Sequence, residues 1–210
     1  MLLIETVDRP PSAAALFLKL SAKPVPAWLD ANVDAEKLGR FSFLAADPFL
    51  KITTYGHNII EENCLSGEKT EHQSPFFPFL DELLKRWSRP KESDFLPFES
   101  GLIGYLGYEL GHQVETFTQT TINDLKMPDA FFAAYDALIA IDHLTDTTWL
   151  VASGLPEASE SPAARIRARR RLDELWEIVA AARQDETKTL SRKETGPKET
   201  QQITSAEGRL

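Results

Sequence analysis

The stretch that most constrains this chain is Ala130 to Ile141, which is apolar or aromatic throughout except for Asp136. It falls well short of the roughly 18 apolar residues that a membrane-spanning helix needs. Its composition, rich in alanine, phenylalanine and isoleucine without helical polar spacing, suits a strand buried on both faces. A carboxylate inside such a strand must find a hydrogen-bond partner or take up a proton. The chain therefore has to build a core with sheet at its centre and supply Asp136 with company.

The neighbouring segments agree with that demand. Thr147 to Ala152 reads as an antiparallel return strand after a turn at Asp142 to Asp146. Met1 to Val7, Ala27 to Ala31, Arg40 to Ala45 and Phe49 to Tyr55 are further strand candidates, with Asn58 to Ile60 as a hairpin partner beyond Gly56. Cys64 to Gln73 is polar and reads as a loop. Three segments have helix signals. Ser12 precedes the helix formers Ala13 to Leu20, and Ser74-Pro75 precedes Phe76, Leu80, Leu83, Leu84 and Trp87 at helical spacing. Ser161-Pro162 opens a long helix to about Arg183, with Ile166, Leu172, Leu175, Trp176 and Val179 turned inward. Strands cluster in hairpins without regular strand–helix alternation, so the expected class is α+β, mostly antiparallel sheet with packed helices. One domain is expected over 1–186, followed by a polar linker over 187–210 that has too little apolar surface to offset its ordering entropy.

The formal net charge of -9 disfavours nucleic acid and anionic lipid as partners. The basic block Arg165, Arg167, Arg169, Arg170 and Arg171 lies among Asp173, Glu174 and Glu177 and reads as a solvated helix face. The one cysteine, Cys64, excludes an intrachain disulfide and fits a reducing compartment. The start of the chain lacks the basic flank and long apolar stretch of a signal peptide, so a cytoplasmic location is expected.

Three phrases stand out in order along the chain: Gly39-Arg40-Phe41-Ser42-Phe43-Leu44-Ala45-Ala46-Asp47-Pro48 with Ile52 to Gly56, then Gly101-Leu102-Ile103-Gly104-Tyr105-Leu106-Gly107-Tyr108-Glu109-Leu110, then Pro128-Asp129-Ala130 through Tyr135-Asp136 to Ile141-Asp142-His143. Together they resemble the amino-terminal region of the anthranilate synthase component I and aminodeoxychorismate synthase component I family, over about Ala27 to Ala152. The short beginning and the phrase Ala46-Asp47-Pro48 to Thr53-Thr54-Tyr55-Gly56 resemble the aminodeoxychorismate branch. The resemblance implies an enzyme that aminates chorismate on the route to 4-aminobenzoate and folate, with ammonia from a glutamine amidotransferase partner, component II. The alternatives are the anthranilate branch, toward tryptophan, and a stand-alone regulatory module that binds an aromatic amino acid. In the family, Mg²⁺ and chorismate are held by a carboxy-terminal region. The chain is accordingly expected to be a fragment, inactive alone, with no catalytic and no metal-binding residues of its own.

The residues agree with that expectation. Glu61-Glu62 and Asp81-Glu82 are adjacent pairs, and adjacent side chains do not converge on one ion; the four histidines show no ligand spacing. Gly101, Gly104, Gly107 and Gly111 recur every three or four residues but lack a phosphate-loop pattern, and read as a face for close backbone approach beside Tyr105 and Tyr108. Asp129, Tyr135 and Asp136 read as structural. The resemblance also implies a tryptophan-type pocket, marked in the family by a Leu-Glu-Ser or Leu-His-Ser stretch. Here the matching stretch is Leu29-Asp30-Ala31, with Leu38, Gly39, Arg40 and Phe41 as the other wall. Ala31 lacks the hydroxyl, which is worth roughly 1–3 kcal/mol to a buried ligand group, so tryptophan is expected to bind weakly or not at all. Asp30 is left to hold an ammonium group. Arg40 has two readings, a pocket wall or a partner for a nearby carboxylate.

Overall fold

The computed structural model describes residues 1–31, 39–115 and 125–194, with 189–194 as backbone only. Among these residues, ten strands form two five-stranded sheets in which every pairing is antiparallel. The first sheet has the order β1 (Leu3–Thr6), β10 (Thr147–Ala152), β9 (Ala137–Asp142), β3 (Phe41–Ala45), β2 (Ala27–Leu29). The second has the order β6 (Lys69–Gln73), β5 (Asn58–Asn63), β4 (Leu50–Tyr55), β8 (Ala130–Tyr135), β7 (Gly101–Leu106). Helices α1 (Ala13–Leu20) and α3 (Pro162–Glu194) cover the first sheet, and α2 (Phe76–Trp87) covers the second.

Strand alternation divides the core into three layers. Leu44, Ile139 and Leu150 face α1 and α3, where they meet Leu16, Leu172 and Val179. Phe43, Leu138, Ala140 and Val151 point the other way, against Ile103, Ala133 and Tyr135 of the second sheet. The outer face of the second sheet, with Leu50, Ile52 and Ala134, packs on Phe76 and Leu83 of α2. Among the described residues, no helix is long and apolar enough to cross a membrane.

The apolar run departs from the expected single strand. It is two strands, β8 and β9, one in each sheet, and the chain crosses between sheets at Asp136. A strand buried on both faces and a strand that changes sheets have the same composition, so the pattern alone does not separate them. Asp136 is fully buried at this bend. Its Oδ2 accepts from Arg167 Nε at 2.7 Å and its Oδ1 from Arg171 Nε at 3.1 Å. Arg171 also donates to the carbonyls of Ala46 and Asp47 and pairs with the Asp47 and Glu174 carboxylates. The basic block is thus split: Arg169 and Arg170 are exposed, while Arg167 and Arg171 point into the protein to neutralise the bend.

Other elements also differ from expectation. Lys69–Gln73 is a strand, not part of a loop; its polar side chains suit an edge position, where Lys69 pairs with Glu62 across the ladder. Ser74 does not cap α2. Pro75 stands at the cap position, and the Phe76 amide donates to Gln113 Oε1 at 2.7 Å. Ile166 is exposed, and Ala164, Ala168 and Ala182 join Leu172 and Val179 on the inner face of α3. That helix continues past Arg183 to Glu194. Residues 195–210 of the expected linker lie outside the described residues.

Candidate functional site

The glycine-bearing segment is a strand, which holds Gly101 and Gly104, followed by a 3-10 turn at Tyr108–Gln113, which Gly107 precedes and which contains Gly111. Gly104 and Gly107 have definite steric partners. A Cβ on Gly104 would lie 2.0 Å from the Phe131 carbonyl oxygen, and one on Gly107 would lie 2.9 Å from that of Asp129. Gly101 adopts a φ of +134°, a conformation that side chains disfavour. Tyr105 stacks on Phe131, while Tyr108 is largely exposed. Asp129 clamps three segments: its amide donates to Thr54, its carbonyl accepts from Gly107, and its carboxylate accepts from the Gly56 amide at 2.5 Å. Tyr135 is buried between the sheets and donates to the Val25 carbonyl at 2.7 Å; burial pushes its hydroxyl pKa up to about 12.

The pocket residues gather around the start of β3, where neighbouring side chains fall on opposite faces of the sheet. Phe41 and Asp142 are cross-strand partners, so they share the face that looks toward the second sheet. Arg40 lies over the Phe41 ring at 4.8 Å and grips Asp142, with Nη2 at 2.7 Å and Nε at 3.1 and 3.2 Å. Gly39 is buried beside it. Leu38 lies outside the described residues. The hydrogen bonds from Arg40 hold the Asp142 carboxyl well below its ordinary 3.8, at about 2, against the opposing effect of burial.

Ser42, Ile141 and His143 occupy the other face of the same sheet, toward the helices. The Ser42 hydroxyl donates to Asp30 Oδ1 at 2.9 Å, and its oxygen accepts from the Ala31 amide at 3.2 Å. Its one proton is used on Asp30, so His143 Nε2, 2.7 Å away, is the donor in their contact. Asp30 is thereby engaged by Ser42 on the helix side of the sheet. The Asp30–Ser42–His143 trio also lacks the order of a catalytic triad, in which histidine stands between serine and carboxylate. Here a fully buried serine stands in the middle. The residue overlooked by the sequence reading is Ser42. Its signal was its place beside Phe41, since alternation puts it on the opposite face.

The two most buried carboxylates, Asp136 and Asp142, are each neutralised by arginine. They do not fit a Mg²⁺ site, and among the described residues no three His, Cys, Asp or Glu side chains converge to hold a metal ion. A separate cavity of about 700 Å³ lies between α2 and the start of β7, lined by Phe49, Leu83, Trp87, Arg89, Phe98 and Leu155. Trp87 Nε1 and Arg89 Nη1 are buried there without a partner. Each atom has less than 1 Å² of accessible surface, so neither is displayed to a molecule in the cavity.

The Arg40–Asp142 pair sets an expected pH response. The pKa of Asp142 is depressed in the folded state, so its stabilising contribution is complete above its ordinary 3.8 and is lost as pH falls toward about 2. Urea midpoints measured between pH 5 and pH 2 are expected to fall less steeply in Arg40→Gln than in the parent. Arg40 is 45% exposed, so added salt should reduce the difference. Identical slopes would show that the pair does not govern this titration.

Known proteins place these features in context. No family model matches the chain. It is 28% identical over 144 residues to aminodeoxychorismate synthase component 1 of Escherichia coli K12, covering 68% of this chain and 31% of that protein. It is 30% identical over 181 residues to anthranilate synthase component 1 of Neisseria meningitidis serogroup B, covering 82% and 35% respectively. The fold matches that of anthranilate synthase component I from Streptococcus pneumoniae TIGR4 with a TM-score of 0.52 at 20% identity, over 82% of this chain and 37% of that one. The chain thus spans about a third of the length of these relatives. In sequence and in its α+β fold of two antiparallel sheets, it resembles component I of the aminodeoxychorismate and anthranilate synthases.

Proposed function

We propose that this chain is the amino-terminal, non-catalytic scaffold of an aminodeoxychorismate synthase component I. In this reading the 1–186 unit supports a carboxy-terminal region that holds chorismate and Mg²⁺, and a glutamine amidotransferase subunit supplies ammonia. The observation that carries the scaffold role is the mutual commitment of the charged and polar groups at the candidate site. Arg40 is held by Asp142, Asp30 by Ser42, and Asp136 by Arg167 and Arg171. Groups neutralised in this way stabilise a fold; they are not poised to polarise a substrate.

The wording of the β3–β4 segment, Ala46-Asp47-Pro48 to Thr53-Thr54-Tyr55-Gly56, supports the aminodeoxychorismate branch. A second reading, the anthranilate branch, is favoured by the longer match, 181 residues against 144. The test has two parts. The purified chain, given chorismate, ammonia and Mg²⁺, is expected to give no turnover; turnover would overturn the scaffold reading. The polypeptide encoded by the reading frame through and beyond Leu210 is expected to release 4-amino-4-deoxychorismate, and release of anthranilate would select the other branch. In parallel, calorimetry with L-tryptophan on the isolated chain is expected to show no micromolar binding. Such binding would favour a regulatory module instead.

A further inference from the structure

The cavity of about 700 Å³ between α2 and the start of β7 joins an apolar wall to a positive charge that the fold does not balance. It lies where Leu2 precedes β1 and Ser153 follows β10, at the opposite end of the first sheet from Arg40 and Asp142. Phe49, Leu83, Trp87, Phe98, Leu102 and Leu155 supply the apolar lining. Phe49 and Trp87 meet edge to face, with ring centroids 5.4 Å apart. A volume of this size falls within the range of small-molecule sites, roughly 300–1,000 Å³.

Among the described residues, Arg89, Arg167 and Arg171 are the least exposed arginines. Asp136 answers the last two with a carboxylate. Arg89 has no carboxylate partner among those residues: its Nη2 donates to the neutral Glu157 carbonyl, and its Nη1 is buried without an acceptor. The acids that line the cavity are engaged elsewhere. Asp81 pairs with Lys85, Glu92 with the Met1 ammonium group, and Glu99 accepts from the amides of Glu92 and Ser93. Lys91, exposed in the same lining, adds a second cation with no ion pair among the described residues. A partly buried guanidinium beside apolar surface is costly until an anion neutralises it.

We infer that this cavity binds a small aromatic monocarboxylate, with the ring on the apolar wall and the carboxylate answered by Arg89. The two parts of such a molecule match the two parts of the site. A flat ring packs on Phe49, Trp87 and Phe98 and asks for no hydrogen bond. A single negative charge balances Arg89, whereas a dicarboxylate or a phosphate dianion would bring a further charge to be stripped of water in so apolar a lining. Arg89 Nη1 has less than 1 Å² of accessible surface, so direct contact requires the guanidinium to turn. Coulomb attraction across a low-dielectric wall acts before contact and favours that turn. Once turned, the guanidinium donates two N–H groups to one carboxylate.

The test titrates the isotope-labelled chain with naphthalene-2-carboxylate and with its uncharged amide, 2-naphthamide, at neutral pH and low salt. The readout is the indole N–H resonance of Trp87, assigned with Trp87→Phe. The carboxylate is expected to shift that resonance and to bind at least about tenfold more tightly than the amide. Added salt should narrow the preference. Arg89→Met is expected to cut it to about twofold, the remainder belonging to exposed Lys91, and Arg89→Lys to keep more of it. Should Arg89→Met not fold, Lys91→Met serves instead: it is expected to weaken carboxylate binding about twofold and leave amide binding and melting unchanged. Equal affinity of the parent for acid and amide would overturn the inference. So would an undiminished preference in folded Arg89→Met, a shift at another tryptophan with none at Trp87, or no binding of either compound.

Discussion

Asp136→Ala is expected to lower the stability of this protein by about 3–5 kcal/mol, the usual cost of removing one member of a buried ion pair. The arithmetic is asymmetric. Asp136 has no exposed surface, and the arginines that answer it are 10% and 8% exposed at their side chains. Deleting the carboxylate leaves two guanidinium groups with little access to water. Arg171 keeps the carbonyls of Ala46 and Asp47 and the carboxylates of Asp47 and Glu174, but Arg167 has no other ion-pair partner among the described residues. Asp136→Asn, which retains an acceptor without the charge, should fall between the parent and the alanine variant. Urea denaturation reads the result, as a lower midpoint with an unchanged slope. An unchanged midpoint would mean that both arginines swing out to solvent at no cost, and that the bend between the sheets does not depend on the charge.

Gly104→Ala is the second large effect. An added Cβ would meet the Phe131 carbonyl oxygen at 2.0 Å and the Phe132 Cα at 2.7 Å, both backbone atoms of the neighbouring strand. Backbone in a paired ladder cannot turn aside as a side chain can. The β7–β8 pairing must open, at a cost of about 1–3 kcal/mol or more. Gly107→Ala meets the Asp129 carbonyl at 2.9 Å and should cost less. The expected order of thermal stability is therefore parent, Gly107→Ala, Gly104→Ala. Faster amide exchange in the Gly104 variant should be confined to β7 and its partner β8. Equal stability of all three proteins would show that the strands separate freely at this point.

Some of this protein was written in local pattern. The alternating strand Phe49 to Tyr55, the hairpin at Gly56, and the helix begun by Ser12 follow from short-range preference, and each stands in the fold. The need of Asp136 for a partner was likewise plain from burial alone. The identity of that partner was not. Arg167 and Arg171 lie on α3, far along the chain, and nothing local distinguishes them from the exposed Arg169 and Arg170. The end of α3 shows the same limit. Asp185 and Glu186 lie beyond the expected end of the helix near Arg183, yet Asp185 pairs with Lys19, and Glu186 accepts from the amide and hydroxyl of Ser12, so contacts with the first helix and its cap residue hold this turn.

At the candidate site, the sequence determined which residue types lie near one another. The tertiary structure decided which face each occupies. Asp30 bonds Ser42, which meets His143, on the helix side of the sheet, while Arg40 bonds Asp142 and lies over Phe41 on the side of the second sheet. The physical reason is the pleat. One residue of displacement along a strand reverses a side chain's direction, and only the pairing register fixes where that reversal falls.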